Sequence, residues 1–77
     1  MMIDHPIKSH QNTVNLAESA RQTAVAAAIA AGGNSVQKNI AAAEATFYRA
    51  VIASCVANGL PYSDFRQGLH DVAGVWV

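Results

Sequence analysis

The 77-residue sequence is poor in cysteine, proline, aromatic residues and charge. Its single cysteine, Cys55, excludes an intramolecular disulfide and a thiolate metal cluster. Cys55 lies in an apolar stretch, so we expect a buried small hydrophobic residue. Five basic and five acidic residues cancel, and the basic ones are scattered along the chain. Because binding to nucleic acid begins with clustered Lys and Arg, this pattern argues against an extended nucleic-acid or anionic-membrane surface.

A membrane anchor and a secretory signal are also not predicted. The apolar run over 24–31 is too short to span a bilayer. A secretory signal has a short basic start, whereas the region before this run is long and polar, with His10, Gln11 and Glu18. We therefore expect a cytoplasmic protein that does not enter a membrane.

Apolar residues make up 52% of the chain, and many of them are alanine. Alanine has the highest helix propensity but buries little area, which predicts helices that form readily around a thin core. Oligomerisation is a common remedy for a thin core in so short a chain. Small apolar residues recur every three or four positions in two stripes, as on one face of a helix. The stripes are Ala17, Ala20, Ala24, Ala27 and Ala31, then Val36, Ile40, Ala43, Phe47, Ala50, Ser54 and Ala57.

These stripes predict a single all-α domain over 1–77, built on an alanine-rich antiparallel helical hairpin. Gly32-Gly33-Asn34 is a helix stop followed by a turn, and so short a link makes the two helices antiparallel. We expect a flexible arm over 1–10, helix one over 11–31 and helix two over 35–58.

The methyl-only stripes also predict where the two helices come closest. Ala24 and Ala27 of helix one are expected to meet Ala43 and Ala50 of helix two. Side chains that end at the β-carbon let two backbones approach closely.

A short third, C-terminal helix is predicted over 63–73. Gly59 and Pro61 stop helix two, and Ser63 is a good N-cap. One face of this helix is apolar, and we expect it to cover Val51, Ile52, Cys55 and Val56 of helix two. This face consists of Phe65, Leu69, Val72, Ala73 and Trp76. Trp76 is expected to be buried, either on helix two near Ile52 and Val56 or in a partner chain.

The sequence contains no motif for catalysis, a cofactor or a metal, so we predict a protein that is not an enzyme. It has no Ser-His-Asp order, phosphate loop or dinucleotide fingerprint. Glu18 and Glu44 lie in the two arms, but they lack the Glu-to-His spacing of bundles that bind two metals. No carboxylate or cysteine completes a ligand set with the histidines, which are expected at the surface: His5, His10 and His70.

The favoured function is a non-enzymatic module for protein–protein interaction or oligomerisation. The expected partner is a second copy of the chain or another protein. The interface candidates are residue types that anchor interfaces: Tyr48, Arg49, Tyr62, Arg66 and Trp76. Small neutral helical chains of this kind also fit the accessory or inhibitory proteins of phages and mobile elements.

The alternative is a small DNA-binding regulator that uses residues 55–73. Cys55, Gly59, Leu60 and Phe65 have the spacing of a helix-turn-helix, which places its second helix in the major groove. That helix carries residue types that read bases and two aspartates that repel phosphate: Arg66, Gln67, His70, Asp64 and Asp71. Because phosphate-binding charge is missing, nucleic acid is not the favoured partner.

Overall fold

The computed structural model describes residues 7–76, which form three helices and no strand. Helix α1 spans Lys8–Ala31, α2 spans Val36–Asn58 and α3 spans Ser63–Ala73. α1 packs against α2 as an antiparallel hairpin, and α3 packs on α2. The predicted fold class is therefore confirmed.

Helix α1 begins earlier than the sequence predicted. Ile7 is its N-cap, without a side-chain capping bond, and its carbonyl accepts the Gln11 N–H. Two hydroxyls near this end of α1 make other contacts: Thr13 Oγ1 donates to the Ser9 carbonyl, and Ser9 Oγ reaches Asn58 Oδ1 across to α2. The predicted arm therefore loses residues 8–10 to the helix, and its positions 1–6 lie outside the described residues.

The predicted stop after α2 is confirmed at Gly59, which is left-handed with φ 67° and ψ 31°. The Gly59 N–H donates to the Val56 carbonyl, and the Leu60 N–H donates to the Cys55 carbonyl. Leu60 then packs back onto the buried cluster of Val14, Val51 and Cys55. Only glycine adopts this backbone conformation without strain, so the stop fixes where the chain leaves α2.

The core consists of two clusters in one half of the molecule. Val14 of α1 meets Val51 and Cys55 of α2, and Ile52 with Ala45 of α2 meets Leu69 of α3. Partly buried Tyr62 and Phe65 pack against both clusters. We call this the proximal half, made of residues 8–19 and 45–76, and we call residues 20–44 the distal hairpin. Cys55 is buried as predicted, and burial raises the pKa of its thiol.

The prediction for the closest approach of α1 and α2 is wrong for Ala24 and Ala27, which are exposed. The column that faces α2 contains Val14, Val25 and Ala28 instead, with Val14 and Ala28 buried and Val25 half-buried. Both columns have the same three-and-four spacing. Because valine has more apolar area to remove from water than alanine, the valine column takes the inner position.

α3 approaches α2 closely at Gly68. A β-carbon added there would lie 2.6 Å from the Tyr48 ring, so only glycine accommodates the ring against the α3 backbone. The ring also contacts Phe47 edge to face, with centroids 5.5 Å apart.

The prediction that α3 covers Val56 is wrong, because Val56 stays exposed while Ile52 and Cys55 are buried. Val56 follows Ile52 by one turn on the same side of α2, so the cover that α3 gives to Ile52 ends before Val56.

Candidate interaction groove

An open groove runs along the face of the hairpin opposite α3. Ala45 and Ile52 of α2 face α3. Ala43 and Ala50 precede them by two residues, which places them about 200° away around the helix, and they line the groove. The cleft has a volume of about 850 Å³. We call it the alanine groove, because most residues lining it are alanines, including Ala20, Ala24, Ala27 and Ala43.

The stripe predicted as a close contact between helices is therefore the wall of an open cleft. Alanine side chains end at the β-carbon, so they leave a hollow between the two helices. The larger side chains meet on the neighbouring face of each helix. Leu16 stands at one end of the groove and is 72% exposed. A leucine this exposed beside an apolar cleft marks a surface suited to a partner.

Arg21, the only ionisable side chain among the described residues that line the groove, is paired. Its Nε donates to Glu18 Oε2 at 2.9 Å, and its second nitrogen donates to Glu18 Oε1. These bonds lower the pKa of Glu18 and raise that of Arg21. The pair is partly buried because Arg21 lies between the helices and also lines a small cleft on the far side with Glu44. The groove therefore presents almost no unneutralised charge.

The predicted interface residues lie in different surroundings. Tyr48 and Tyr62 are half-buried and pack against the core clusters, while Arg49 is exposed on α2. Arg66 and Trp76 come together at α3, with the Arg66 guanidinium carbon 5.2 Å from the indole centroid. None of the five lines the alanine groove. Sequence reasoning chose them by residue type, whereas the groove is built from small residues that carry no such signal.

Trp76 does not pack on α2 near Ile52 and Val56. It stacks on His70 of α3, with ring centroids 4.0 Å apart and an interplanar angle of 11°, and it stays 53% exposed. Gly74, which is left-handed with φ 72°, ends α3 and turns the chain back along it, which explains why the indole reaches His70. Insertion of Trp76 into a partner chain stays a prediction.

The same contacts bear on the DNA-binding alternative, which also stays a prediction. Arg66 and His70, two of the expected base-reading side chains, contact Trp76. Gln67 Nε2 donates to Asp71 Oδ1 at 2.9 Å. Each of these contacts would have to be given up before the side chains could read base edges.

His10 is buried, 6% exposed, although the sequence predicted a surface position. Its Nδ1 shares a 2.8 Å hydrogen bond with Ser54 Oγ, which is also buried. The early start of α1 places His10 one turn before Val14 on the inner column, and that spacing was the signal in the sequence. Because the bond lies between packed helices and neither residue lines a described cleft, we interpret it as structural rather than as a nucleophile–base pair. His70 is half-exposed, and His5 lies outside the described residues.

Two further features of residues 7–76 bear on metal binding and on membranes. No cluster of His, Cys, Asp or Glu in that range could hold a metal ion. α2 is long and apolar enough to cross a membrane by length and composition, a feature that the sequence prediction for the run over 24–31 did not include. The core helix of a soluble protein meets the same criterion, so this is weak evidence for a membrane.

No protein-family model, curated protein or solved structure matches the chain. The groove is therefore interpreted from its own geometry.

Proposed function

We propose that the chain is a non-enzymatic protein–protein interaction module whose binding surface is the alanine groove. The observation that supports this proposal is an apolar cleft along the whole hairpin, lined from Thr13 to Ala31 on α1. At a rise of 1.5 Å per residue, that stretch is about 27 Å long, which matches a partner helix of about five turns.

The groove's chemistry defines the partner. A helix with small or medium apolar side chains fits, since such helices pack at about 8–10 Å between axes. A charged group placed over Ala20 or Ala24 would lose its hydration without gaining a counter-ion, because Arg21 is already held by Glu18. The partner surface is therefore apolar and uncharged along its centre.

The lining also supports a role in binding rather than in catalysis. Within residues 7–76 the polar side chains of the lining are Thr13, Arg21, Asn39 and Thr46, with no histidine, cysteine or carboxylate. Acid–base and nucleophilic catalysis both need such groups within hydrogen-bond reach of a substrate. In this proposal the chain acts in the cytoplasm. An accessory or inhibitory role, as in phages or mobile elements, would consist of holding a helix of its target.

Site-specific photo-cross-linking in the host cell tests this proposal. A photoreactive phenylalanine at Ala27, which lines the groove, should give a discrete adduct with a protein. The matched control places the same group at Ala26, which is exposed but does not line the groove. Equal labelling from both positions, or no protein adduct from Ala27, would contradict the proposal.

A further inference from the structure

We infer that the occupant of the alanine groove is a second copy of this chain, bound face to face about a twofold axis. This inference rests on the proposed function and names its partner. The hairpin would then form half of a four-helix bundle, with α3 on the outside of each copy.

The shape of the groove fits its own copy. Its proximal end is lined by large side chains, the exposed Leu16 and the partly buried Phe47, and its distal end by Ala27 and Ala31. A surface with protruding side chains at one end and a hollow at the other is complementary to a second copy that runs in the opposite direction. A twofold interface requires this self-complementarity.

This pattern selects one of the two possible axes. An axis that lies in the interface and crosses the helices at right angles packs α1 antiparallel on the partner's α1. With its centre near residue 22, midway between Thr13 and Ala31, Ala20 falls over the partner's Ala24 and Leu16 falls at the level of the partner's Ala28. An axis parallel to the helices would bring the proximal ends of the two copies, with Leu16 and Phe47, together and leave a gap over the alanines.

Area and charge are consistent with such a pair. The face is about 27 Å long and, with two helices about 10 Å in diameter, about 20 Å wide. Two copies would bury about 1,100 Å² in total, which exceeds the size of most crystal contacts and lies at the low end for a specific interface. Since the only charge lining the groove, Arg21, is paired within its own chain, the dimer buries no unpaired charge.

The first test measures the mass of the purified full chain by sedimentation from about 1 to 500 µM. We expect a transition from monomer to dimer in the micromolar range, because weak and transient complexes are found at this low end of interface size. Ala24→Glu should weaken dimerisation at least tenfold, because it places two carboxylates near the axis, while Ala26→Glu should leave it unchanged. Both positions are exposed in the monomer, so the helix content measured by circular dichroism should match the wild type.

A second pair of variants separates the groove from general surface hydrophobicity. Leu16 and Ile29 are both large and exposed, but only Leu16 lines the groove. Leu16→Ala should weaken dimerisation clearly, and Ile29→Ala should not.

A wild-type chain that stays monomeric up to 500 µM would overturn the inference, as would a dimer that Ala24→Glu leaves intact. If the purified chain is monomeric while Ala27 cross-links to a different protein in cells, this inference fails and the proposed function stands. If the chain is monomeric and Ala27 gives no protein adduct, both fail.

Discussion

The two halves of the molecule share helices α1 and α2 and the same spacing of apolar residues, yet only the proximal half, which also contains α3, forms a closed core. In the proximal half, Val14, Val51 and Leu69 are almost completely buried. In the distal hairpin, Ala28 is the only described residue in the buried class. The comparison shows that periodicity determines which residues share a helix face, and that side-chain size determines whether that face closes.

The difference has an energetic consequence. Hydrophobic stabilisation grows with the apolar area removed from water, so the valine and leucine side chains of the proximal half contribute most of it. The distal hairpin relies on the helix propensity of alanine, and helices of this length are marginal without tertiary packing. A partner in the groove would supply that packing.

The largest effect is expected from the proximal core. Leu69 is 0% exposed, so Leu69→Ala should destabilise the protein by about 2–5 kcal/mol through lost burial and a residual cavity. Urea unfolding at a concentration below the onset of association measures this value. Under the same conditions Leu16→Ala, which removes an exposed side chain of the same type, should change the free energy of unfolding by less than about 0.5 kcal/mol. Equal losses would show that the halves do not differ.

The second prediction concerns the contact that joins α3 to α2. Replacing glycine by alanine within a helix normally stabilises it by about 0.5–1 kcal/mol. Gly68→Ala should instead cost about 1–3 kcal/mol, because the new methyl group meets the Tyr48 ring. In a Tyr48→Ala background the same substitution should become neutral or stabilising. A Gly68→Ala effect that is independent of Tyr48 in this double-mutant cycle would reject the contact.

A smaller effect is expected from the buried polar pair. Ser54→Ala removes the 2.8 Å hydrogen bond to His10 and should cost about 1 kcal/mol. The cost should rise to about 3 kcal/mol if the buried Nδ1 finds no replacement partner in the variant. Ser9→Ala is the control, since that hydroxyl is exposed and 3.5 Å from Asn58. Chemical denaturation of the two variants should separate them clearly, and equal stabilities would argue against the buried pair.

The smallest effect belongs to the ion pair beside the groove. The hydrogen bond from Arg21 lowers the pKa of Glu18, so the pair stabilises the fold above the ordinary glutamate pKa of about 4.3, and this contribution is lost as the pH falls through the folded pKa. Glu18→Gln should therefore cost less than about 1 kcal/mol at neutral pH, with no difference in acid. A difference that grows on acidification would have the wrong sign.

The overall fold was predictable because it depends on local signals. Gly32-Gly33 and Gly59 mark the ends of helices, and the apolar stripes mark their lengths. The inner column of α1 was not predictable from spacing alone, since the columns containing Val25 and Ala24 share one period.

The site was less predictable than the fold. A groove forms where small side chains leave space, and no single residue identifies it in the sequence. The position of Trp76 depends on the turn at Gly74, and the burial of His10 depends on where α1 begins. Tertiary geometry determines the groove, the position of Trp76 and the burial of His10. A prediction from residue type alone therefore named Tyr48 and Trp76 as interface residues and did not include the groove.

Hydrogen exchange measured by mass spectrometry at several protein concentrations tests most directly whether the distal hairpin is completed by a second copy. Peptides from 20–31 and 36–44 should exchange rapidly in dilute solution and become more protected as the concentration rises through the micromolar range. Peptides from 45–58 and 63–73 should be well protected throughout, apart from a small common shift in global stability. Uniform protection of both halves, or protection of the distal hairpin that does not change with concentration, would contradict this account.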